Sequence, residues 1–350
     1  MSAPRAMQTG MLPPDRLMAT YLIIGIVLLA VGAIAFFALG GKKEEPKPAL
    51  PARKADQPDK KPAPASAEST KAEASRPSSG PSIEARRQYL DDDEGNGEDT
   101  QPNPWILVTA VGRTDPGMKR KNNEDAYLVL DDHHLFVVAD GMGRHKAGEI
   151  ASRLAVDTVG GAFASGDFGD HPFDENLAKE ANRLAAVFHL ANKTVFEQSQ
   201  AVEDYTGMGT TMVSLHFSRN KERAAVAHAG DSRCYRLRGG KLEQLTTDHT
   251  LGAAGIVGPS AFVLSKAVGI EPNLEPDVQI IRPQPDDVYL ICSDGLSRMV
   301  PNEEIVRILS GRRDLDAAAN QLIDQANKAG GRDNVTVILV RVERAPMPGA

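Results

Sequence analysis

Cysteine is scarce in this chain, and positive charge is outweighed by negative charge. The 350 residues include two cysteines, Cys234 and Cys292, and both lie in apolar stretches. They form neither a disulfide framework nor a zinc-binding or thiol-catalysis motif, so we expect small core residues and a reducing compartment. The formal net charge is −7. The chain therefore has no basic footprint of the kind that general nucleic-acid binding requires.

Charged residues are missing from residues 19–40, ATYLIIGIVLLAVGAIAFFALG. About 20 apolar residues cross a bilayer as a helix, whereas the apolar region of a signal peptide has about 7–15. The length favours a transmembrane helix over a cleaved signal peptide. Lysine and arginine are in excess on the C-terminal flank, which predicts that this side is cytoplasmic. The flanking basic residues are Arg5 and Arg16 before the span and Lys42, Lys43, Lys47, Arg53, Lys54 and Lys60 after it.

Bulky apolar residues are almost lacking from residues 41–103, which are rich in Pro, Ala, Lys, Ser and Glu. Such a segment cannot bury enough surface to offset the entropy lost on ordering, so it is predicted to be a disordered linker. The predicted organisation is a tail at 1–18, the transmembrane helix at 19–40, the linker at 41–103, a folded domain at 104–343 and a C-terminal tail at 344–350.

The folded domain shows clusters of predicted strands separated by clusters of predicted helices. This order indicates an α+β fold rather than an alternating parallel one. The predicted strands are 106–112, 126–131, 134–139, 210–217, 223–229, 233–238, 278–282, 287–293 and 335–341, and the predicted helices are 147–163, 174–200, 302–310 and 314–329.

Four of the apolar runs that predict strands end in, or follow, an aspartate beside glycine or asparagine. One such pair would indicate an ordinary turn. Several carboxylates gathered at one rim repel each other unless a cation compensates, and ligands made only of oxygen suit Mg²⁺ or Mn²⁺ rather than Zn²⁺. The pattern therefore predicts a site for hard divalent cations. The four pairs are Asp140-Gly141, Gly230-Asp231, Asp294-Gly295 and Asp333-Asn334.

Seven sequence blocks occur in a fixed order along the domain: GMKRKNNEDA, VVADGMGRHKAGEIAS, GMGTT, AHAGDSRCYRL, TTDHT, LICSDGL and GRDNVTVILV. Together they resemble the metal-dependent protein phosphatase family, the type 2C Ser/Thr phosphatases, in their bacterial form. The resemblance covers residues 104–343. It implies an α-β-β-α sandwich in which two antiparallel sheets carry a helical pair on each outer face. It also implies that a hydroxide bridging two Mn²⁺ or Mg²⁺ ions hydrolyses phosphoserine or phosphothreonine.

The same resemblance assigns roles to individual residues. Asp140 matches the carboxylate that bridges the metals, Gly141 matches a residue that offers its backbone carbonyl, and Arg120 matches the arginine that binds phosphate. Asn334 is expected either to support the metal ligands without binding the ions or to order the loop. The remaining metal ligands that the resemblance implies are Asp294 and Asp333 at one ion, Glu124 and Asp125 at the second, and Asp204 at a third, weaker ion.

Several of these residues keep a second interpretation. Asp125 is alternatively a cap at a strand start, and Arg120 is alternatively a surface cation. Asp231 is either a ligand of the third metal or a structural partner of Arg233. His145 is a candidate proton donor to the leaving group.

The expected function is that of a membrane-anchored phosphatase that acts on phosphorylated proteins and opposes a bacterial Ser/Thr kinase, itself among the expected partners. Two alternatives remain open on the same fold. One is an inactive phosphoprotein-binding module, and the other is a hydrolase of small phosphate esters. The segment between TTDHT and LSKAVG, a mobile flap in relatives, is short and rich in Gly and Ala. This departure puts substrate selection by a flap in doubt.

Overall fold

The computed structural model describes residues 106–144, 146–311 and 314–344. The predicted tail, transmembrane helix and linker at 1–103 lie outside the described residues. His145 and the predicted C-terminal tail beyond Arg344 also lie outside them. In the described ranges, no helix combines the length and the apolar character that crossing a membrane demands.

Two antiparallel sheets form the middle of the described part of the chain. The strands are β1 (Ile106–Asp115), β2 (Asp125–Leu130), β3 (Leu135–Met142), β4 (Gly209–Thr210), β5 (Met212–Phe217), β6 (Ala224–Ala229), β7 (Arg233–Arg238), β8 (Lys241–Gln244), β9 (Asp277–Ile281), β10 (Val288–Cys292) and β11 (Val335–Arg344). One sheet has the order β1-β11-β10-β7-β8, and the other has the order β2-β3-β5-β6-β9 with β4 paired to β3. Because β1 pairs with β11 along its whole length, the first and last described strands lie side by side.

Helices cover both outer faces of the sheet pair. They are α1 (Ala147–Ser165), α2 (Lys179–Ala201), α3 (Asp294–Ser297), α4 (Asn302–Gly311) and α5 (Leu315–Lys328). The helices α1 and α2 pack on the β3 sheet, and α4 and α5 pack on the β11 sheet. A third core fills the space between the sheets. These layers confirm the predicted α-β-β-α sandwich.

Strand β3 shows how the sequence builds two of these cores at once. Leu135 and Val137 belong to the core beneath α1 and α2, whereas Phe136 and Val138 belong to the core between the sheets. Successive side chains of a strand point to opposite faces, so a run without polar residues is buried on both sides. The strand is thereby fixed in position up to its last residues, where Asp140 lies.

The second helix begins later than its apolar pattern predicts, at Lys179 rather than residue 174. The cause is Asn182, a side chain buried to 1% exposure. Its Oδ1 accepts from the Asp174 N–H at 2.8 Å, and its Nδ2 donates to the carbonyl oxygens of Asp174 and Leu177 at 2.8 and 3.1 Å. These bonds hold residues 174–178 as a turn ahead of the helix, and Leu177 is exposed.

The two cysteines occupy the core positions predicted for them, and two histidines are buried as well. Cys234 and Cys292 are free thiols with no exposed surface, and burial raises the pKa of both. His216 and His228 are buried in β5 and β6. Burial lowers the pKa of His216 to about 3, so this ring is neutral in the folded protein.

Candidate metal centre

Three strand ends bring aspartates to one end of the sheet pair. Asp140 lies near the end of β3, Asp294 begins α3 directly after β10, and Asp333 lies just before β11. All three line one cavity of about 750 Å³, which Arg120 and Glu124 also line. The predicted gathering of carboxylates at the rim of a sheet therefore occurs.

Two glycines make this close approach possible. A Cβ on Gly141 would lie 2.0 Å from the carbonyl oxygen of Gly148 and 2.6 Å from that of Glu124. A Cβ on Gly295 would lie 1.9 Å from the carbonyl oxygen of Asn334. These contacts are shorter than any side chain tolerates, so glycine is required beside both Asp140 and Asp294. The Asp-Gly pairs here serve close packing rather than a turn alone.

The carboxylates of the cavity carry the electrostatic signature of a cation site. Burial, followed by the neighbouring charge of Asp125, raises the pKa of Asp140 well above its usual value. Burial also raises the pKa of Asp294 to about 6 and the pKa of Glu124 above its usual value. Buried carboxylates that repel one another are stabilised by a divalent cation, and an all-oxygen donor set fits Mn²⁺ or Mg²⁺.

Asp125 lies behind the cavity rather than on its wall. It pairs with Asp140 across β2 and β3, and its Oδ2 accepts from Ser293 Oγ at 2.8 Å and from Thr336 Oγ1 at 2.7 Å. Its buried Oδ1 has no hydrogen-bond partner among the described residues. Burial raises the pKa of Asp125 to about 7. An unpartnered buried carboxylate oxygen beside Asp140 fits a nearby cation better than it fits a simple strand cap.

Arg120 and Asn334 connect the loop before β2 to the start of β11. Arg120 donates to Asp333 Oδ2 at 2.8 Å, and half of its side chain is exposed at the cavity. The Asn334 Oδ1 accepts from the Glu124 N–H at 2.8 Å, while its Nδ2 donates to the carbonyl oxygens of Pro116 and Asn122. Asn334 thus orders the loop that carries both Arg120 and Glu124.

Asp231 does not pair with Arg233, so that alternative is wrong. Arg233 instead makes a two-pronged contact with Asp248, at 2.8 and 2.6 Å. Asp231 is buried on the cavity wall and accepts from Arg298 at 2.6 Å. A planar guanidinium binds best to a carboxylate that it meets edge-on, and Asp248 offers that geometry to Arg233. The pair between Asp231 and Arg298 could not be predicted from a local sequence pattern, because the two residues are 67 positions apart.

Asp204 is not brought to this cavity. It lies in a short 3-10 turn, Glu203–Tyr205, and its side chain is exposed. It is not among the residues that line the cavity. Its assignment to a third metal stays a prediction, as does the role of His145, which lies outside the described residues.

One wall of the cavity comes from residues 250–275, here called the rim segment. Phe262, Val263 and Ile270 line the cavity and keep much of their surface exposed. The segment is tied down at Val268, which pairs with Thr210, and at the buried Asn192. The Asn192 side chain accepts from the Gly269 N–H at 2.7 Å and donates to the Glu271 carbonyl at 3.0 Å. Despite its short length, this segment contributes apolar surface to the site.

A second group, His228, His249 and Asp277, has potential ligand atoms within 4.8 Å of one another. Hydrogen bonds already occupy these side chains. His228 Nε2 bonds to the Thr247 carbonyl, and His249 Nδ1 accepts from the Gly230 N–H at 3.2 Å. The second bond leaves the proton on Nε2, which faces Asp277 at 3.2 Å. Lys266 also contacts Asp277, at 2.6 Å. The group therefore joins β6 and β9 to the residue just before the rim segment, with Lys266 of that segment attached to Asp277, and it is a poor metal site.

The raised pKa values predict how stability depends on pH without metal. A carboxylate whose pKa is higher in the folded state stabilises the fold at low pH, and this contribution is lost as pH rises through the folded value. Asp125, with a pKa of about 7, should make the protein in EDTA melt at a lower temperature at about pH 8 than at about pH 6.5. Asp294, with a pKa of about 6, loses most of its contribution below pH 6.5 and adds little in this interval. Saturating Mn²⁺ should remove most of that decrease.

Differential scanning fluorimetry across this interval measures the effect. His216, whose pKa is lowered to about 3, acts in the opposite direction, but only below about pH 6.5, the value for an unfolded histidine. An Asp125→Asn variant in EDTA should show a shallower decrease than the wild type. A melting temperature in EDTA that rises from pH 6.5 to 8 would contradict the electrostatic description of the cavity.

Comparisons with known proteins agree with this geometry. The family profile described as protein phosphatase 2C matches residues 118–337. The serine/threonine phosphatase stp of Listeria welshimeri is 36% identical over 244 residues, which cover 65% of this chain and 93% of the relative. The crystal structure of the Mycobacterium tuberculosis serine/threonine phosphatase PstP/Ppp superposes with a TM-score of 0.60 at 32% identity, covering 68% of this chain and 99% of that one. A structure of the PstP catalytic domain in complex with two manganese ions superposes with a TM-score of 0.59 at 33% identity, covering 68% and 99%.

Proposed function

Because this chain belongs to the protein phosphatase 2C family and is a protein serine/threonine phosphatase, we propose that it dephosphorylates proteins modified by a bacterial Ser/Thr kinase. Phosphatases of this family use Mn²⁺ or Mg²⁺. The observation that carries the proposal is that Asp140, Asp294 and Asp333 meet Arg120 in one cavity. A carboxylate cluster with an arginine at its edge is suited to two cations and a phosphoryl group.

The residues of the cavity have different roles in the proposed hydrolysis of a phosphate ester. We assign Asp140, Asp294 and Asp333 as metal ligands together with the Gly141 carbonyl, and Glu124 with Asp125 as the acids that hold the second ion. When bound, the ions supply activation of water and neutralisation of phosphate charge. One N–H of Arg120 contacts Asp333. Since a guanidinium has five donors in a fixed fork, Arg120 can also hold two phosphoryl oxygens and orient the phosphorus.

Protein substrates are favoured over small phosphate esters because the cavity extends well beyond the carboxylates. Phe262, Val263 and Ile270 offer apolar surface beside the acidic cluster, and a small ester has nothing to place there. We assign this surface to the residues that flank the phosphorylated one. An inactive binding module is not favoured, because the carboxylates and Arg120 are all retained.

Phosphate release from phosphoserine and phosphothreonine peptides, measured beside p-nitrophenyl phosphate, tests the proposed function. We expect a higher kcat/KM for peptides with an apolar residue next to the phosphorylated one, and no turnover in excess EDTA. Equal kcat/KM for the peptides and the small ester would instead favour the small-ester hydrolase. Binding of phosphopeptides without any turnover in Mn²⁺ would favour the inactive module.

The proposal also places the enzyme at the cell membrane, with its catalytic domain in the cytoplasm. Its support is the uncharged stretch 19–40 and the basic excess that follows it. Two fusions at the C-terminus test it, one to a reporter active only in the cytoplasm and one to a reporter active only outside. We expect activity from the cytoplasmic reporter in the membrane fraction. Activity of the external reporter alone would reverse the orientation, and a fully soluble product would exclude the anchor.

A further inference from the structure

Arg298 lies directly after α3 and contacts two carboxylates of the cavity at once. Its guanidinium nitrogen Nη2 is 2.6 Å from Asp231 Oδ2 and 2.9 Å from Asp294 Oδ2. Asp231 follows β6, whereas Asp294 follows β10, so the two acids come from different sheets. The Arg298 guanidinium therefore links an acid from one sheet to an acid from the other.

The contact offsets part of the repulsion between two carboxylates. The side chains of Asp231 and Asp294 are only 7% and 14% exposed, so water screens their charges poorly. The Arg298 side chain is 37% exposed and lines the cavity with them. The guanidinium therefore meets both acids from the cavity side, where a cation could reach them.

Phe262 of the rim segment covers the same guanidinium. The Arg298 Cζ lies 4.9 Å from the centre of the Phe262 ring, which is a cation–π contact. The ring itself remains 63% exposed and borders the cavity. Arg298 thus contacts two carboxylates and the Phe262 ring, and all of these groups line the same cavity.

We propose that Arg298 is a positioning residue that serves as the permanent counter-cation of the Asp231–Asp294 pair, in the place that a further divalent ion would otherwise occupy. This inference rests on the proposed metal-dependent phosphatase function. It goes beyond that function in stating that the site is completed by two metal ions and one arginine. It also leaves no third ion for Asp204.

Titration calorimetry of Mn²⁺ into the metal-free protein, without substrate, is the primary test. We expect the wild type to bind two ions per chain and Arg298→Ala to bind one more, because the freed acids then form a cation site. Arg298→Lys keeps a positive charge and should remain at two ions. Arg307→Ala is the matched control, since Arg307 pairs with Glu304 on the exposed face of α4. A melting curve for each variant shows that it is folded.

The activity of the same variants gives a second, independent readout. Arg298→Ala should reach half-maximal turnover at about tenfold less Mn²⁺ than the wild type, since the acids that have lost their positive partner attract the divalent ion more strongly, and Arg298→Lys, which keeps the charge, should stay closer to the wild type. An unchanged or lower number of bound ions in Arg298→Ala would overturn the proposal. If the wild type hydrolyses no phosphopeptide, the proposed function fails, but the calorimetric comparison still decides the role of Arg298.

Discussion

Replacing either Asp294 or Asp333 with asparagine is expected to reduce phosphopeptide turnover by at least about a hundredfold while the domain stays folded. Both carboxylates line the cavity with Asp140, and asparagine keeps the shape while it removes the charge that attracts a cation. Loss of an outer partner of a metal ligand already costs about 10–100-fold, so loss of a ligand should cost more. Titration calorimetry should show weaker Mn²⁺ binding in the same variants.

The folded state of these variants is itself part of the expectation. Because burial raises the pKa of Asp294, neutralising this residue relieves repulsion in the metal-free protein, and the Asp294→Asn melting temperature in EDTA should equal or exceed that of the wild type. Asp324→Asn, an exposed position on α5, is the control and should keep full activity. Wild-type turnover by either cavity variant, or by the wild type in excess EDTA, would exclude the metal-dependent reaction.

The strands and their acidic ends could be predicted because each lies in one short stretch of sequence. VYLIC is apolar throughout and is followed by Ser293 and Asp294. The apolar run predicts a fully buried strand, and the aspartate after it predicts a carboxylate at the end of that strand. In contrast, β8 has the sequence KLEQ, with no long apolar run, and it is largely exposed. Its pairing with β7 depends on the neighbouring strand rather than on its own residues.

The side chains that act between distant segments could not be predicted. Asn182 resets the start of α2 by binding the backbone eight residues earlier, which an apolar periodicity cannot show. Asp231 pairs with Arg298, which follows α3, and Asp248 pairs with Arg233 at the start of β7. A carboxylate near several arginines in sequence can pair with any of them, so the pair Asp231–Arg298 appears only once the chain is folded.

Replacing Arg120 with alanine is expected to lower kcat/KM for a phosphopeptide at least about tenfold, mainly through a higher KM. A hydrogen bond to a charged group contributes about 1.5–3 kcal/mol, and a phosphomonoester is already negatively charged before reaction, so the contact also stabilises bound substrate. Arg120 already donates to Asp333. The variant should therefore keep its two-ion stoichiometry, because the carboxylate remains in place when the guanidinium is removed.

The loop that carries Arg120 provides its own control. Lys121 is exposed on the same loop, and Lys121→Ala removes the same charge at nearly the same place. If general attraction of phosphate by positive charge explained the effect, the two variants would lose kcat/KM equally, and Arg120 would be a surface cation. If the planar fork matters, Lys121→Ala should be close to wild type, and Arg120→Lys should recover only part of the loss, because an ammonium cannot hold two phosphoryl oxygens in the same geometry.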